Sequence, residues 1–476
     1  MTAIVWFRLD LRLDDNPALA AAAAYEDVVP IFIWSPEEEG TWAPGAASRW
    51  WLHQSLVSLD QHLKKLGISL IVRRGKALEE LLEVVKETGA QAVFWNRRYE
   101  PAIIERDKTV KSALLELGLR VETFNGSLLY EPWEVSTTSG QPFQVFTPFW
   151  KACLKLRDTV TTVEAPKMLS NRHKLCSLSL KELNLEPTID WTEGIRSSWT
   201  PGIDGAVARL RAFINKVASY ALDRDRPDLD ATSSLSPHLH FGEISVRRVF
   251  QAVTATDWPR KGSGQEVYLK ELGWREFAYH LLYHFPYTIH RPLRQEFESF
   301  PWKQNAVLFK AWCRGKTGYP LVDAGMRQLW RTGWMHNRVR MIVASFLVKD
   351  LLIGWQEGAK WFWDTLVDAD LASNTLGWQW TAGCGADAAP YFRIFNPILQ
   401  GEKFDPEGKY VRRWVPELAR LPNEFIHRPW EAPAEVLAAA SVKLGHDYPY
   451  PIVDHFAARE RALAALAEIG ISARQR

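Results

Sequence analysis

The chain has few cysteines and no long apolar run, and both absences limit what the protein can be. Its four cysteines lie far apart, with no Cys-x-x-Cys pair, at Cys153, Cys176, Cys313 and Cys384. Such spacing argues against a disulfide framework and against a zinc site, and it is typical of a reducing compartment. No apolar stretch reaches the ~18 residues of a membrane-spanning helix, and the early charges of MTAIVWFRLDLRLDD argue against a signal peptide. We therefore expect a soluble cytoplasmic protein without a bound metal ion.

The chain also has little net charge and lacks a common nucleotide-binding motif. Its 58 basic and 56 acidic side chains leave a formal charge of only +2. A nucleic-acid partner would therefore need a local basic patch. No Gly-x-Gly-x-x-Gly follows the first apolar segment, which argues against a dinucleotide site of the usual Rossmann kind. The 476 residues are enough for two or more domains, and tryptophan is abundant, at 23 copies.

The first 130 residues alternate between strand-like and helix-like segments. Leucines repeat at intervals of four and three from Leu52 to Leu66 and predict a helix that ends at Gly67. Strands alternating with helices predict a parallel, doubly wound, Rossmann-like sheet. The five predicted strands are Ile4–Phe7, Val28–Trp34, Ile68–Arg73, Ala92–Asn96 and Val121–Phe124.

The rest of the chain has a different character. Residues 131–203 are rich in Ser, Thr, Pro and Lys with weak periodicity, and we interpret them as an inter-domain linker that contains one short helix in QVFTPFWKACLKL. From residue 204 to residue 476 the pattern is helical, interrupted by proline turns. The predicted fold is an α/β N-terminal domain (1–130), a linker, and a larger all-α C-terminal domain.

The segment from Gly318 to Trp380 carries the most functional information. It is rich in tryptophan, and its first half places Arg327, Arg331, Arg338, Arg340 and Lys349 against a single acid, Asp323. Aromatic residues interleaved with arginines can hold a phosphate backbone and stack on a base. The alternative is a helical core lined with aromatic side chains under a solvated basic face.

Four short sequence motifs in this segment resemble the FAD-binding core of the DNA photolyase and cryptochrome family. They are GYPLVDAGMRQL, TGWMHNRVRM, VDADLASN and GWQW, in the family's order and spacing. The resemblance extends from VWFRLDLRLDDNPAL near the N-terminus to DYPYPIVDH near the C-terminus. It implies the same two-domain layout, with an antenna chromophore in the N-terminal domain and FAD and damaged DNA bound by the helical domain.

Hydroxyl groups cluster where the resemblance implies the phosphates of FAD. TSSLSP packs four hydroxyls ahead of a helical run, an arrangement that suits an anion, although a plain N-cap with serine turns is the alternative. The resemblance implies that FAD is held by Tyr220, Thr232, Ser233, Ser234, Leu235, Ser236, Tyr268, Glu271, Arg275, Trp334, Asn337, Arg340, Asp368, Asp370 and Asn374.

Two of these positions bear on the chemistry of the flavin. We place Trp334, His336, Asn337 and Arg340 on one helix, and the resemblance implies that Arg340 pairs with a carboxylate at Asp368. Such a pair beside the ring would favour the anionic reduced flavin.

The resemblance places Asn374 opposite flavin N5, where repair enzymes carry asparagine and plant cryptochromes carry aspartate. An amide cannot ionise, so Asn374 favours repair. We expect His336 to be structural.

The resemblance also implies a lesion cavity and a basic DNA-binding rim. Trp274 would stack on the damaged bases, and Trp380 would form a second wall of the cavity. The alternatives without a DNA-binding role are that Trp274 is a core residue and that Glu271 and Arg275 form a surface ion pair. The implied catalytic residues are Glu271, Asn337, Met341 and Asn374. The implied phosphate contacts are Arg338, Arg393 and Lys403, the last two lying in what is otherwise a solvated basic loop.

A chain of tryptophans completes the resemblance. Trp378, Trp355 and Trp302 match the residues that pass electrons to the flavin in this family, from the nearest to the surface. Their separations in sequence have no period, and spacing alone therefore favours ordinary core packing of these tryptophans. Trp361, Trp363 and Trp330 are alternative carriers.

Departures from the common pattern indicate a subgroup. The chain has Asn-Thr-Leu-Gly-Trp at 374–378 where many members have Asn-Asn-Gly-Gly-Trp, and LGWQ, DPEGKY and IHRPW resemble plant cryptochromes and the bacterial photolyases most akin to them. His336-Asn337 lacks the paired histidines of a (6-4) photolyase. NRRYEPAIIERD lacks the family's usual folate-contact spacing, but the photolyase group that the chain resembles generally uses folate. Methenyltetrahydrofolate is therefore the expected antenna and a deazaflavin the alternative.

The sequence therefore predicts a light-driven carbon–carbon lyase that splits cyclobutane pyrimidine dimers in UV-damaged DNA and acts as a monomer. The main alternative is a cryptochrome-type blue-light receptor, which the absence of a disordered tail after His455 disfavours. A flavin-dependent oxidoreductase is a third class, but no nicotinamide motif supports it.

Overall fold

The computed structural model describes residues 1–255, 259–388 and 392–470. Within those ranges no helix is both long and apolar enough to cross a membrane. The chain divides into two compact units, and each unit is built from three segments that are not contiguous in the sequence. The first comprises Met1–Ala221, Ser233–Pro286 and Val367–Ala372, and the second Leu222–Thr232, Tyr287–Leu366 and Ser373–Arg476.

A five-stranded parallel sheet forms the centre of the first unit. The strand order is β3-β2-β1-β4-β5, so that β1 lies in the middle, with Trp6 opposite Ile31 on one side and Trp95 on the other. The predicted doubly wound sheet is confirmed. The strands are β1 Thr2–Phe7, β2 Asp27–Trp34, β3 Ile71–Arg74, β4 Ala92–Asn96 and β5 Arg120–Phe124.

Four strands begin at positions other than those predicted, by one or two residues in β1, β2 and β5 and by three in β3. We expected β3 to begin at Ile68, but its pairing with β2 starts at Ile71. The backbone N–H of Leu70 donates to the carboxylate of Asp60, 3.0 Å away, rather than to the neighbouring strand. A side-chain acceptor on a preceding helix has therefore replaced the ladder hydrogen bond.

Helices flank the sheet and make up the remainder of this unit. Left-handed glycines end two of them: Gly89 (φ 60°) follows α3 and Gly118 (φ 75°) follows α4, and a side chain would be strained in that backbone region. The helices are α1 Pro17–Ala22, α2 Ala46–Lys65, α3 Ala77–Thr88, α4 Pro101–Glu116, α5 Phe146–Lys155, α6 Glu193–Ser198, α7 Ile203–Ile214, α8 Tyr220–Asp223, α9 Ser236–His240, α10 Val246–Val253 and α11 Gly264–His284, with the last two residues of α8 counted in the second unit.

A buried carboxylate ties the helices of the first unit to one another. Glu243 accepts hydrogen bonds from Trp51 Nε1 (2.9 Å), Ser55 Oγ (2.5 Å) and the backbone N–H of Gly202 (2.7 Å), and it pairs with His238. These partners lie on α2, before α7 and on α9. A buried charge is tolerated where its lone pairs are all engaged, so this cluster fixes α2 against α9 and against Gly202 at the end of the predicted linker.

The second unit is helical, as predicted. A short π-helix, Phe346–Asp350, follows α14. The helices are α12 Ala306–Cys313, α13 Pro320–Thr332, α14 Asn337–Ser345, α15 Trp355–Thr365, α16 Leu371–Ala382, α17 Pro397–Phe404, α18 Lys409–Trp414, α19 Ala434–Ala439 and α20 His455–Glu468, with the first two residues of α16 counted in the first unit. The domain boundaries that we expected near residues 130 and 204 stay a prediction.

Candidate functional site

The hydroxyl-rich loop before α9 has a geometry suited to an anion. Ser234 has a left-handed backbone (φ 52°), and Ser233 Oγ accepts from the N–H of Leu235 at 3.3 Å. Tyr268 donates its hydroxyl to Ser233 Oγ at 3.2 Å, and Ser236 Oγ donates to Asp368 Oδ2 at 2.6 Å. These hydroxyls, with Thr232 directly before them, are donors of the kind that a pyrophosphate requires. The residues present therefore fit the phosphate end of FAD.

Aromatic rings pack beside this loop. The ring of Tyr268 lies 5.4 Å from that of Tyr220, edge to face, and 4.4 Å from that of Phe213. Burial raises the pKa of Tyr268 far above its usual value. The phenol therefore stays protonated and remains a hydrogen-bond donor. Phe213 carried no signal in the sequence beyond an apolar position on a helix.

Arg275 is held by contacts with residues that the sequence did not single out. Its Nη1 donates to the backbone carbonyl of Ser127 at 2.7 Å and lies 3.2 Å from Glu276 Oε1. The guanidinium also lies 5.0 Å from the ring centroid of Tyr279. The four-residue spacing suggested a surface pair with Glu271, but the ion pair that the structure shows joins neighbouring residues and is buried.

Glu276, the partner of Arg275, is a carboxyl group whose pKa is strongly raised. Burial raises its pKa to about 7, although Arg275 and the backbone N–H groups of Leu129 and Tyr130 act in the opposite direction. Its Oε2 accepts from Leu129 N at 2.7 Å. The group therefore titrates near neutral pH while it anchors Leu129 and Tyr130, directly before the 131–203 segment. No periodic pattern could have indicated this role, because its partners lie 147 and 146 residues away.

Asp370 is held ionised by its neighbours. Burial alone would raise its pKa, but the hydrogen bond and charge of His240, then Arg275 and Tyr279, bring the pKa well below its ordinary value. Tyr279 donates to Asp370 Oδ2 at 2.5 Å, and His240 Nδ1 lies 3.6 Å from the same oxygen. A fixed negative charge therefore lies two residues after Asp368, on the chain that enters α16.

Trp274 on α11 has one face covered by a neighbouring ring. The ring of Phe146, from α5, stacks on it with centroids 3.9 Å apart and planes within 8°. Phe277 meets Trp274 edge to face at 5.8 Å. The indole is half-buried, and its orientation is set by these two rings. Glu271 lies on the same helix, three residues earlier.

The junction between α13 and α14 differs from our expectation. We placed Trp334 and His336 on one helix with Asn337, and that prediction is wrong. Gly333 (φ 67°) ends α13, and the ring Nδ1 of His336 accepts from the N–H of Arg338 at 3.2 Å, so that α14 begins at Asn337. A left-handed glycine followed by a capping side chain stops one helix and starts the next.

Arg340 is oriented by this junction. Its Nε donates to the backbone carbonyl of Met335 at 2.7 Å, and its guanidinium lies 5.9 Å from the ring centroid of Trp334. Asn337, one turn earlier on α14, is exposed. The pairing of Arg340 with Asp368 stays a prediction.

The side-chain amide of Asn374 is fixed from a neighbouring helix. Its Nδ2 donates to the backbone carbonyl of Ala359 on α15, 3.0 Å away. An amide can donate to that carbonyl, whereas an ionised aspartate has no donor to offer. The contact is therefore one that the amide makes and a carboxylate could not.

Two glycines close to Trp355 lie against the other two predicted electron carriers. A Cβ added at Gly358 on α15 would lie 2.0 Å from the indole of Trp378, so that this indole lies directly against the helix that begins with Trp355. A Cβ added at Gly354, the residue before Trp355, would lie 3.8 Å from the indole of Trp302, an ordinary contact distance. The electron-transfer order 378, 355, 302 stays a prediction. Trp378 and Trp355 are buried, whereas Trp302 is partly exposed.

The alternative carriers form a separate pair. The rings of Trp330 and Trp361 are stacked with centroids 6.0 Å apart, and Trp330 is 65% exposed. Trp363 lies two residues after Trp361 on α15. The structure thus holds a stacked tryptophan pair that reaches the surface, and its role as a second electron route stays a prediction.

The predicted DNA-binding cations lie near aromatic rings. The guanidinium of Arg393 lies 5.9 Å from the ring of Trp380. Arg338 and Lys403 share one ring, that of Phe404, at 4.5 Å and 5.2 Å from its centroid. Arg338 also contacts Met341, with Nη1 and Sδ 3.8 Å apart. Two cations that are far apart in sequence therefore belong to one cluster.

Comparisons with known proteins agree with this geometry. A family model for DNA photolyase matches residues 3–167, and one for the FAD binding domain of DNA photolyase matches residues 268–468. A deoxyribodipyrimidine photo-lyase of Agrobacterium fabrum is 50% identical over 98% of each chain. The chain belongs to the DNA photolyase and cryptochrome family.

Plant and bacterial members of the family are both similar to the chain. Cryptochrome-2 of Arabidopsis thaliana is 46% identical, over 98% of this chain and 78% of its own length. The crystal structure of a class III photolyase from Agrobacterium tumefaciens matches with a TM-score of 0.94, at 49% identity and 98% coverage of each chain. Membership of the family, the two-part fold and the FAD-binding domain, all predicted from the sequence, are confirmed.

Proposed function

We propose that the protein repairs cyclobutane pyrimidine dimers in DNA by a light-driven reaction, as a deoxyribodipyrimidine photo-lyase. The observation that carries the proposal is the match of nearly the whole chain, at 50% identity, to an enzyme of that name. The amide of Asn374, anchored on Ala359, supports repair rather than the aspartate pattern of plant cryptochromes. The alternative of a signalling receptor is less favoured, although Cryptochrome-2 is nearly as similar.

The cofactor would be held through several groups of residues. Ser233 and Ser234 would offer hydroxyls to the phosphates, Ser236 would lie beside them with its hydroxyl on Asp368, and Tyr268 keeps Ser233 oriented through its protonated phenol. When bound and reduced, FAD supplies the excited electron that opens the cyclobutane ring and receives it back afterwards. The other predicted contacts are Tyr220, Thr232, Leu235, Glu271, Arg275, Trp334, Asn337, Arg340, Asp368, Asp370 and Asn374.

The cation of Arg340 favours an anionic flavin ring, and the neighbouring polar groups keep a constant charge. Arg340, anchored on Met335 O, places a cation that favours negative charge on a nearby ring. Asn374 keeps the same hydrogen-bonding pattern at every pH, because an amide does not titrate. Asp370 stays ionised beside Tyr279 and His240. No proton therefore needs to move among these groups during a repair cycle.

The substrate would be a dimer flipped out of the duplex, as photolyases are among the enzymes that take a base out of the stack. Trp274, with one face covered by Phe146, offers its other face to a base. Trp380 stacks on a base as well, and Met341, Asn337 and Glu271 contact the dimer. Arg338, Arg393 and Lys403 hold phosphates without reading sequence.

Electrons from outside would reach the flavin along Trp302, Trp355 and Trp378. The close packing of Trp378 against Gly358 and of Trp302 against Gly354 supports this order. The stacked pair Trp361 and Trp330 is a second candidate route, since Trp330 is exposed. Both routes serve only to reduce the cofactor before repair.

An antenna chromophore would bind the N-terminal α/β region. We propose methenyltetrahydrofolate, with a deazaflavin as the alternative. Extraction of the purified protein followed by absorbance spectroscopy and mass analysis distinguishes the two, because their ring systems differ in both properties.

The test of the function is repair itself. Pre-reduced protein is mixed with an oligonucleotide that contains one thymine dimer, and restored thymines are measured under blue light and in the dark. Restoration only in the light supports the proposal. No restoration from protein that binds FAD and photoreduces it would overturn repair and favour the receptor.

A further inference from the structure

Arg338 already has a partner before any DNA arrives. Its Nη2 lies 2.9 Å from Asp225 Oδ2 and its Nε 3.3 Å from Oδ1, so that the guanidinium grips both carboxylate oxygens. Phe404 packs against the guanidinium, 4.5 Å from its ring centroid. A DNA phosphate would use the same fork of donors. Asp225 therefore competes for the arginine that we propose as a phosphate contact.

The acids and bases around Asp225 alternate along the chain. Residues 223–228 read Asp-Arg-Asp-Arg-Pro-Asp, and Arg226 grips Asp228 in the same two-oxygen manner, at 2.8 Å and 2.7 Å. Arg224 Nε lies 3.9 Å from Asp225 Oδ1. The acids offset much of the positive charge that this rim would present to a phosphate backbone. The sequence-independent part of DNA binding, which depends on such charge, is correspondingly weakened.

The Arg338–Asp225 pair is open enough to be exchanged. The side chain of Arg338 is 20% exposed and that of Asp225 is 36% exposed. Ion pairs with this degree of exposure contribute little net stability, since water and salt compete with them. A phosphate can therefore displace the carboxylate without a large energetic cost.

Arg338 also contacts a residue proposed to line the lesion cavity. Its Nη1 lies 3.8 Å from Met341 Sδ, one turn further along α14. A flipped dimer that contacts Met341 brings its flanking phosphates within reach of the same guanidinium. Undamaged DNA, whose bases stay stacked, makes no contact at Met341 that would hold a phosphate beside Arg338, and its phosphates must displace Asp225 unaided. Damaged and undamaged DNA thus differ in how readily a phosphate reaches Arg338.

We propose that Asp225 is a specificity-determining residue, which keeps Arg338 from undamaged DNA and yields it to a phosphate beside a flipped dimer. The inference rests on the proposed repair function. It assigns Asp225 to a competitive role, since a carboxylate cannot itself bind a phosphate. The resident acid lowers the affinity for the undamaged backbone more than the affinity for the lesion.

The test compares two dissociation constants in the dark, for duplexes that differ only in one thymine dimer, over a range of KCl concentrations. We expect Asp225→Asn to tighten binding to the undamaged duplex about two- to fivefold and to tighten dimer binding less, so that discrimination falls. The salt dependence for undamaged DNA should steepen, as expected for an added phosphate contact. Asp225→Ser should behave in the same way.

Asp223→Asn is the matched control, because it removes the same charge two positions away. It should shift both dissociation constants by the same factor. In an Arg338→Gln background, Asp225→Asn should leave the discrimination ratio unchanged, since its effect requires the arginine. FAD content and the unfolding temperature establish that each variant is folded.

Three results would overturn the inference. They are an unchanged discrimination ratio in Asp225→Asn, weaker binding to undamaged DNA, or the same change of ratio in the Arg338→Gln background. Light-dependent repair by the wild-type protein on the same dimer duplex separates these outcomes from failure of the proposed function. Repair with an unchanged ratio rejects only the role of Asp225.

Discussion

The side chain of Asn374 donates a hydrogen bond to the backbone carbonyl of Ala359, 3.0 Å away on the preceding helix. The residue that would lie opposite the flavin is therefore oriented by the same helix, α15, that begins with Trp355 and packs on Trp378 through Gly358. The helix α15 thus contacts both Asn374, proposed to face the flavin, and Trp378, proposed to carry electrons.

Asn374→Asp tests whether the amide matters for repair. An aspartate must either ionise and lose the bond to Ala359 O or hold a proton, so we expect slower dimer splitting at neutral pH and partial recovery at lower pH. The measurement is the pH profile of light-dependent repair by pre-reduced enzyme. Ser373→Ala, at the neighbouring exposed position, controls for changes in α16. A flat, wild-type profile in Asn374→Asp would remove Asn374 from the chemistry.

Trp378→Phe should block photoreduction of oxidised enzyme while sparing repair by enzyme that has been reduced chemically. Phenylalanine fills the space but is much harder to oxidise than tryptophan. The check is the loss of the oxidised-flavin absorbance band under blue light with an external reductant. Trp312→Phe is the control, because its ring lies 6.2 Å from that of Trp378 and off the proposed route. Unimpaired photoreduction in Trp378→Phe would point to the Trp361 and Trp330 pair.

Phe146→Leu should weaken dimer binding about two- to tenfold, which corresponds to the ~0.5–1.5 kcal/mol of an aromatic pair beyond its buried area. The leucine no longer holds Trp274 by stacking, so that the indole loses its fixed orientation. Dark binding to a dimer duplex measures the effect, with FAD content as a second measurement that should not change. Phe143→Leu, in the same segment but packed on Phe149 and His280, should bind normally. Equal losses in both variants would indicate general destabilisation instead.

Glu276→Gln should flatten the pH dependence of stability between about pH 4.5 and pH 7. In this window the folded protein keeps a proton on Glu276, whose pKa is about 7, while the unfolded chain has released it. Stability from this group is therefore present at low pH and is lost as pH rises, by up to about 3 kcal/mol. Glutamine keeps an oxygen for the N–H of Leu129 and carries no charge.

The measurement is the free energy of unfolding in urea at several pH values, as the difference between wild type and variant. Asp405, with a pKa raised by burial to about 6, titrates in the same window, but it is common to both proteins and cancels. Parallel pH curves for the two proteins would show that Glu276 is ionised throughout the folded state at these pH values.

The fold was predictable because its signals are local. Short β-branched runs identified all five strands, and β3 was placed three residues early only because Asp60 captures the N–H of Leu70. The helix boundary at His336 was missed for a related reason. Whether a histidine caps a helix or continues it depends on a hydrogen bond to its own neighbour, and no spacing rule expresses that choice.

The site was predictable only where motifs carried it. Phe146 acts on Trp274 and Asp225 on Arg338, and in each pair more than 100 positions separate the two residues. Packing of this kind leaves no period in the sequence. The predicted tryptophan chain shows the same limit, since the contacts of Trp378 with Gly358 and of Trp302 with Gly354 follow from no spacing of the tryptophans themselves.

The cluster around Glu243 determines whether the molecule can be divided. Its carboxylate joins Trp51 and Ser55 to Gly202 and His238, so that a fragment ending at residue 203 would lose the acceptor of Trp51 Nε1 and of the Gly202 N–H. Ser55 Oγ would keep only the backbone carbonyl of Trp51. Such a fragment should be insoluble or rapidly degraded by proteases, although it contains the complete sheet. The α/β region is in that sense not a transferable module. An antenna domain for attachment to another flavoprotein would have to extend at least through residue 243.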